Sequence, residues 1–301
     1  MKTKILMAAA CCFLLFMACD KNDEKDAPDD PVIQPSEPEP DPEEILANDP
    51  IYQALLKEKL ESKEIPRPDD AYTYPIDRGT PEWWELFENL SGISIYNKMM
   101  EVCSIPEATL KQMSTHALIQ ALMDYPLVID FYFSNSAMTG FWTYYSENTT
   151  YQELVTREDA GRLLLEWLLT LNPLDYPDEL IVDLPGKDIH YLDICVLELM
   201  MGQPEFLSQL VDAERKNVVR SVLINESLWK ELPDMPRRFM SNAISFWVAG
   251  NVMLYTDYAP FVDEVNNDDE LKKFLVPSYT WVMVSPEFEQ LIFSYAVNYL
   301  K

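Results

Sequence analysis

Glycine is scarce in this chain, and its scarcity limits the folds that the chain can adopt. The 301 residues include 7 glycines and 22 prolines. Folds that bind dinucleotides or nucleoside triphosphates need glycine where the backbone approaches a phosphate, and all-β folds need it in turns with positive φ. Both classes are therefore disfavoured, and the sequence favours an architecture of packed helices.

Helix-capping residues occur throughout residues 51–301. Thr80, Ser114 and Ser285 each stand where a helix N-cap is expected, and two of them precede proline at the first helical position. Ser104, followed three residues later by glutamate, has the spacing of a capping box. Gly202 follows an apolar run and is predicted to end a helix in the left-handed conformation.

Two longer segments have the apolar patterns of helices. Residues 212–231 carry valines and leucines on one face and charged residues on the other, which predicts an amphipathic surface helix. Phe239–Tyr255 is uncharged over seventeen residues. A membrane span is the alternative there, but the length is marginal and Asn242 and Asn251 interrupt it, so we predict a central core helix.

Strand patterns are weak by comparison. Two β-branched and aromatic stretches, residues 180–184 and 279–284, could each form a short extended piece. No sustained alternation and no regular repeat accompanies them. We therefore predict an all-α fold with a single large helical domain, and stacked helical hairpins are one arrangement that fits it.

The charge of the chain is strongly acidic and unevenly placed. The formal net charge is −28, from 23 basic and 51 acidic residues. Residues 1–19 carry +2, residues 20–50 carry −10, and residues 51–301, with 19 basic and 39 acidic residues, carry −20. Nucleic acid requires clustered Lys and Arg to neutralise its phosphates, so a nucleic-acid partner is excluded.

The first nineteen residues have the pattern of a secretory signal. Lys2 and Lys4 precede an apolar stretch, Ile5–Phe16, that is too short to span a membrane. Residues 15–19, Leu-Phe-Met-Ala-Cys, resemble the lipobox of bacterial lipoproteins, in which a cysteine after a small residue is acylated. The resemblance implies a signal peptide over 1–19 and a lipid anchor on Cys19. A plain secretory signal with an incidental cysteine is the alternative.

Residues 20–50 have the composition of a disordered tether. They contain twelve acids, two lysines, seven prolines and few apolar residues, too few to bury enough surface to offset chain entropy. At about 3.1 Å per residue in polyproline II geometry, such a segment reaches roughly 100 Å. The acidic run after Cys19 resembles the export signal of surface lipoproteins of the Bacteroidota, which implies an outward-facing position on the outer membrane. In enterobacteria an aspartate at residue 20 would instead imply retention at the inner membrane.

Residues that carry catalytic or metal chemistry do not form a recognisable motif. His116 and His190 are the only histidines, and they lie 74 residues apart without a zinc motif around either. A nucleophile elbow is also missing, and 39 acids make any particular carboxylate pair uninformative. We predict no cofactor, no metal site and no catalytic residue. Cys103 and Cys195 lie among apolar neighbours, so buried free thiols are expected and a disulfide is the alternative.

Aromatic residues give the best indication of a binding site. Trp83 and Trp84 are adjacent, Trp142 lies in the run Phe-Trp-Thr-Tyr-Tyr, and Trp281 lies in a further aromatic run. Exposed Trp faces could stack on sugar rings, and burial in the helical core is the alternative. Since adjacent residues of a helix face different directions, one of Trp83 and Trp84 is expected to be exposed.

A second resemblance covers about fifty residues. The pattern runs from Ser114-Thr115 through Asp124-Tyr125-Pro126-Leu127, Gly140-Phe141 and Asp159-Ala160-Gly161 to Leu164-Leu165. It is similar to a helical module of uncharacterised secreted proteins of the Bacteroidota, and it implies no activity and no site residue.

Three functions are compatible with these observations. The first is a surface lipoprotein that is held to the membrane by its lipid and binds a glycan or a protein partner without catalysis. The alternatives are a hydrolase of extracellular polymer that uses paired carboxylates, and a structural component of the envelope.

Overall fold

A computed structural model describes residues 41–61, 65–76, 78, 80–128, 130, 134, 136–175, 191–231, 235–276 and 285–301. These residues belong to one compact unit, Pro40–Lys301. They form helices and no strand, which confirms the predicted all-α class. The strand-like stretches 180–184 and 279–284 lie outside the described residues.

The helices of the first half are short and closely spaced. They are α1 (Pro42–Ala47), α2 (Pro50–Leu60), α3 (Pro81–Glu85), α4 (Ile93–Val102), α5 (Glu107–Leu110), α6 (Thr115–Met123), α7 (Ala137–Tyr145), α8 (Thr149–Val155) and α9 (Ala160–Thr170). A 3₁₀ turn at Pro173–Asp175 follows α9. The helices of the second half are α10 (Tyr191–Met201), α11 (Pro204–Leu207), α12 (Asp212–Lys230), α13 (Met235–Tyr255), α14 (Ala259–Asn267), α15 (Asp269–Leu275) and α16 (Pro286–Leu300).

Three predicted N-caps are confirmed by their hydrogen bonds. The hydroxyl of Thr80 accepts from the backbone N–H of the third residue of α3, at 3.3 Å. Ser114 does the same for α6 at 3.2 Å, and Ser285 for α16 at 3.3 Å. The capping box predicted at Ser104 is wrong, because its hydroxyl donates to the carbonyl of Met100 at 2.6 Å and so belongs to the end of α4.

The central pair of the fold is α12 and α13, which pack against each other more extensively than any other two described helices. The side chains of α13 from Ile244 to Met253 are buried, apart from a partly exposed Asn251. The predicted core helix is therefore confirmed. Within the described ranges, no helix is both long and apolar enough to cross a membrane.

The prediction of an amphipathic surface helix over 212–231 is correct only for the first turns of α12. From Val218 to Glu226 every side chain is buried, because α2, α9, α13 and α16 all pack around this helix. The buried positions include polar residues, which are Arg220, Ser221, Asn225 and Glu226. Each of the four is hydrogen-bonded or ion-paired, as burial of polar groups requires.

Gly202 was expected to adopt a left-handed conformation, and this is wrong. Among the described glycines only Gly92 has a positive φ, of 56°. A Cβ at Gly202 would lie 2.6 Å from Cζ3 of Trp247, which is buried on α13. Glycine is therefore required at this position for the close approach of α13, and its backbone freedom plays no part.

The compact unit begins earlier than the predicted boundary at residue 51. Helix α1 lies within the segment expected to be a tether, and Leu46 is buried against the core. Asp41 and Asp49 cap α1 and α2, so two acids counted as solvated tether charges have structural roles. The rest of the predicted tether, residues 20–40, lies outside the described residues, as does the predicted signal.

Candidate functional site

The tryptophans predicted to bind a ligand occupy different environments. Trp83 is fully buried and packs edge-to-face on Phe87, with ring centroids 5.2 Å apart. Its ring is closed to any ligand, so the prediction of a stacking role is wrong for this residue. Trp84 is 60% exposed, which confirms that the two neighbours face different directions. Trp142 is half-buried on α7, and Trp281 and Cys19 lie outside the described residues.

Two other aromatic residues of α7, Phe141 and Tyr145, belong to the core. Phe141 and Tyr145 are buried and stack on each other at 4.7 Å with an interplanar angle of 11°. The hydroxyl of Tyr145 donates to the carbonyl of Leu122 at 3.1 Å, which ties α7 to α6. This part of the aromatic run therefore fills the helical core and offers no ring face to a ligand.

Trp84 lies in a short exposed segment that we call the Trp84–Ile93 surface. It includes Leu90, which is 36% exposed, and Ile93, which is 72% exposed. Backbone hydrogen bonds from the N–H of Phe87 to the carbonyl of Trp84 and from Leu90 to Phe87 keep the segment folded in tight turns. Helix α4, which follows it, has no buried residue. This surface therefore combines an aromatic and two aliphatic side chains without a covering element among the described helices.

The charges along this surface are all acidic. Glu82, Glu85 and Glu88 are exposed, and the sequence contains no basic residue between Arg78 and Lys98. The carboxylates can accept hydrogen bonds from hydroxyl groups or pair with cationic groups of a partner.

A buried ion pair lies close along the chain to this surface. The guanidinium of Arg78 donates to Oδ1 of Asp130 at 2.7 Å, and both side chains are mostly shielded from solvent. Burial raises the pKa of Asp130, and the positive charge of Arg78 opposes that rise. Burial and the nearby Asp130 carboxylate raise the pKa of the Cys103 thiol to about 12. The thiol is therefore protonated at neutral pH and is a poor nucleophile.

The remaining thiol and imidazole groups have ordinary structural positions. Cys103 and Cys195 are both buried thiols outside any disulfide, as predicted. Nδ1 of His116 accepts a hydrogen bond from the indole N–H of Trp167 at 3.1 Å, so the imidazole is engaged inside the fold. In the part of the chain that the structure describes, no group of three or more potential metal ligands occurs. His190 lies outside that part.

The most unusual polar arrangement is a fully buried chain of side chains that sequence reasoning missed. Nζ of Lys59 donates to Oδ1 of Asn225 at 2.7 Å and to the carbonyls of Leu168 and Leu171 at 2.5 and 3.1 Å. Nδ2 of Asn225 donates in turn to Oε1 of Glu198 at 2.6 Å. The other oxygen of Glu198 accepts from the hydroxyl of Ser245 at 2.9 Å.

These contacts match the charged forms of both end groups. An ammonium has three donors, and Lys59 has three acceptors; a carboxylate has acceptors only, and both oxygens of Glu198 receive a donor. Burial, in contrast, favours the neutral forms of both groups. It lowers the pKa of Lys59 to about 7 and raises that of Glu198 to about 7, although each charge partly compensates the other.

One feature of the sequence does indicate these buried hydrogen-bonded side chains. Glu198 is the only acid in the run Ile194–Met201, which is otherwise apolar. An acid in such a run needs a buried partner, because an isolated charge is rarely buried. The partner, Lys59, lies 139 positions earlier, in a run of charged residues that is typical of an exposed helix. Sequence spacing could therefore not identify it.

A shallow depression of about 180 Å³ lies where α1, α12 and α16 meet. Leu46, Asp49, Arg220 and Leu300 are among its lining residues. Its volume is below the roughly 300–1,000 Å³ of small-molecule sites, and its guanidinium is already paired with Asp49. The Trp84–Ile93 surface is therefore the better candidate for a binding site.

Comparison with known proteins found no matching family model, curated protein or solved structure.

Proposed function

We propose that the protein is a lipid-anchored envelope protein, exposed at the outer surface, whose helical domain binds a glycan or a protein partner without catalysis. The observation that carries the proposal is the 60% exposure of Trp84 in the same short segment as the exposed Leu90 and Ile93. Exposed aromatic and aliphatic side chains in one short segment are typical of interaction sites.

The composition of the surface favours a protein partner over a glycan. Sugars stack on aromatic faces, and Trp84 provides one, but the exposed aliphatic groups of Leu90 and Ile93 add apolar area of the kind buried between proteins. Two exposed glutamates of the same segment, Glu85 and Glu88, and the exposed Glu82 just before it complement a basic partner.

Trp84→Ala is expected to weaken partner binding by at least tenfold, since a central tryptophan commonly contributes about 2 kcal/mol or more. A photoreactive phenylalanine at position 84, activated on intact cells, would capture a protein partner, and a glycan array would detect a sugar. The partner found would then be titrated against wild type and Trp84→Ala.

The matched control for this titration is Val211→Ala, which removes an apolar side chain that is 64% exposed at the start of α12. We expect it to bind as wild type does. Equal affinities for Trp84→Ala and wild type would contradict a binding role for this surface.

Cys19→Ser is expected to release the protein from the membrane fraction and to abolish incorporation of labelled palmitate, because the acyl chains provide the anchor. Cys103→Ser, which changes a buried thiol, should keep the label. Protease treatment of intact cells tests the surface position and should remove the helical domain. Palmitate labelling that survives in Cys19→Ser would rule out the anchor.

A further inference from the structure

The acidic residues at the Trp84–Ile93 surface follow one another at intervals of three. Glu82, Glu85 and Glu88 are all exposed. Helix α3 ends at Glu85, and the chain continues in tight turns, where the N–H of Glu88 donates to the carbonyl of Glu85 at 3.4 Å. Residues three apart in helices and in such turns lie on the same side. The three carboxylates therefore form a row along one side of the segment, which we call the glutamate row.

The length of the glutamate row matches one face of a helix. With a rise of about 1.5 Å per residue in α3 and about 2.0 Å in the turns after it, the row spans roughly 10 Å from its first to its third residue. On an α-helix, residues i and i+7 lie on one face and are also separated by roughly 10 Å. In an extended chain, the first and third residues of one face are about 13 Å apart. Basic groups on a helix therefore fit the row better than basic groups on an extended segment.

The glutamate row is not neutralised by the ion pairs of the described residues, none of which includes any of its three carboxylates. The basic residues nearest to it along the chain are already paired. Arg78 contacts Asp130 at 2.7 Å, and Lys98 contacts Glu101 at 2.9 Å. The negative charge of the row is therefore available to a partner.

The apolar side chains of the same region are unusually open. Trp84 is 60% and Ile93 is 72% exposed. Helix α4, which begins at Ile93, is the only described helix of eight or more residues without a buried side chain. Its Met99 and Met100 are only partly covered by the core, and methionine side chains adapt to partners of different shape. A partner that contacts this region must therefore carry both apolar and basic groups.

We propose that the partner of the Trp84–Ile93 surface presents a cationic amphipathic helix, whose apolar face contacts Trp84 and whose lysines or arginines meet the glutamate row. The inference rests on the proposed binding function and names the class of partner. An extended partner would bind by main-chain hydrogen bonds to the edge of a sheet, and the described residues form no strand. A helix needs only side-chain contacts, which the exposed tryptophan and the glutamates provide.

Charge disfavours the other macromolecular occupants of the surface. Residues 51–301 carry a formal charge of −20, from 19 basic and 39 acidic residues. A second copy of the chain would bring the same acidic row against this one, and an anionic polymer would be repelled in the same way. A cationic helix is attracted by the row at long range and is held by apolar contact once it docks.

A labelled model peptide of about four helical turns tests the proposal with the full-length protein. It consists of leucine and lysine, with the leucines at i, i+3, i+4 and i+7, and its fluorescence anisotropy reports binding. One control peptide has the same composition in an order that scatters the leucines around the helix, and the other has glutamate in place of lysine. We expect the patterned peptide to bind about tenfold more tightly than the scattered one, and the acidic peptide not to bind.

The triple variant Glu82→Gln/Glu85→Gln/Glu88→Gln is expected to weaken binding of the patterned peptide about tenfold at low salt, because three exposed charge pairs are lost together. Affinity should fall in wild type between about 10 and 150 mM salt, as the screening length drops from roughly 30 to 8 Å. The triple variant should lose most of this salt dependence. Trp84→Ala should weaken binding and keep the salt dependence, since it removes apolar contact only.

The matched control is Glu147→Gln/Glu158→Gln/Glu166→Gln, which removes three exposed acids from α9 and the turns before α8 and α9. It changes the net charge of the protein by the same amount as the first triple variant. We expect it to bind the patterned peptide within about twofold of wild type, because each removed charge lies outside the proposed contact.

Two results with the peptides would overturn the proposal. Equal weakening by the two triple variants would mean that only the net charge attracts the peptide, and equal affinity for the patterned and scattered peptides would mean that no apolar helix face is recognised. The captured partner separates this inference from the proposed function. A partner weakened by Trp84→Ala and unaffected by the loss of the glutamate row would overturn the cationic helix and keep the binding role, whereas a partner unaffected by either change would overturn both.

Discussion

Glu198→Leu is expected to destabilise the protein by about 3–5 kcal/mol at pH 7, because breaking a buried pair leaves its partner uncompensated. The carboxylate also accepts from Asn225 and Ser245, so its loss leaves two buried donors without their acceptor. Lys59→Met should be destabilising for the same reason, since three acceptors lose the ammonium.

The double variant Lys59→Met/Glu198→Leu is expected to lose less unfolding free energy than the two single variants lose together. The difference, which is the coupling energy of the pair, should be about 1–3 kcal/mol. Urea denaturation at pH 7 of wild type, the two single variants and the double variant measures this coupling energy. The matched control is the same cycle on Lys57 and Glu61, which are 3.8 Å apart with side chains 77% and 60% exposed. Coupling in that exposed pair should be about 0.5 kcal/mol or less. Additive losses at Lys59 and Glu198 would contradict the buried pair.

Trp83→Ala and Trp84→Ala should differ greatly in stability although the two residues are adjacent. Trp83 is fully buried against Phe87, so its removal opens a cavity in the core and is expected to cost about 3–5 kcal/mol. Trp84 is 60% exposed, and its removal should change stability by about 0.5 kcal/mol or less.

Thermal and urea unfolding of the two variants against wild type measure this difference. The comparison also supports the binding experiment, because Trp84→Ala must be folded before weaker binding can be assigned to the lost side chain. Similar losses in the two variants would contradict the opposite orientations of the two rings.

Much of the helical architecture could be predicted because its causes are local. Thr80, Ser114 and Ser285 cap helices through hydrogen bonds within three residues, so their spacing in the sequence is sufficient evidence. The uncharged segment Phe239–Tyr255 likewise predicts a core helix from its own composition. In the candidate surface, the opposite orientations of Trp83 and Trp84 follow from helix geometry alone.

The features that could not be predicted depend on partners distant in sequence. Glycine is required at position 202 because Trp247 of another helix leaves no room for a Cβ. The local sequence pattern predicted a left-handed helix end instead. The polar residues of α12 looked like a solvated face, but Arg220 and Asn225 have their partners on α2 or beside it. Which of Trp83 and Trp84 is exposed also depends on tertiary packing, and neither residue alone indicates it.

The contacts between α2 and α12 have a mechanical consequence. A force that pulls on the chain ahead of residue 41 enters the domain through α1, which packs on α16, and passes from α2 to α12 through the contacts of Asp49, Tyr52 and Lys59. Hydrogen bonds and ion pairs act over short distances, so a small displacement breaks these contacts. Extension of α1 and α2 would add roughly 60 Å of chain at about 3.3 Å per residue. Helices α1 and α2 would then be the first part of the domain to take up tension that arrives from the N-terminal side of the chain.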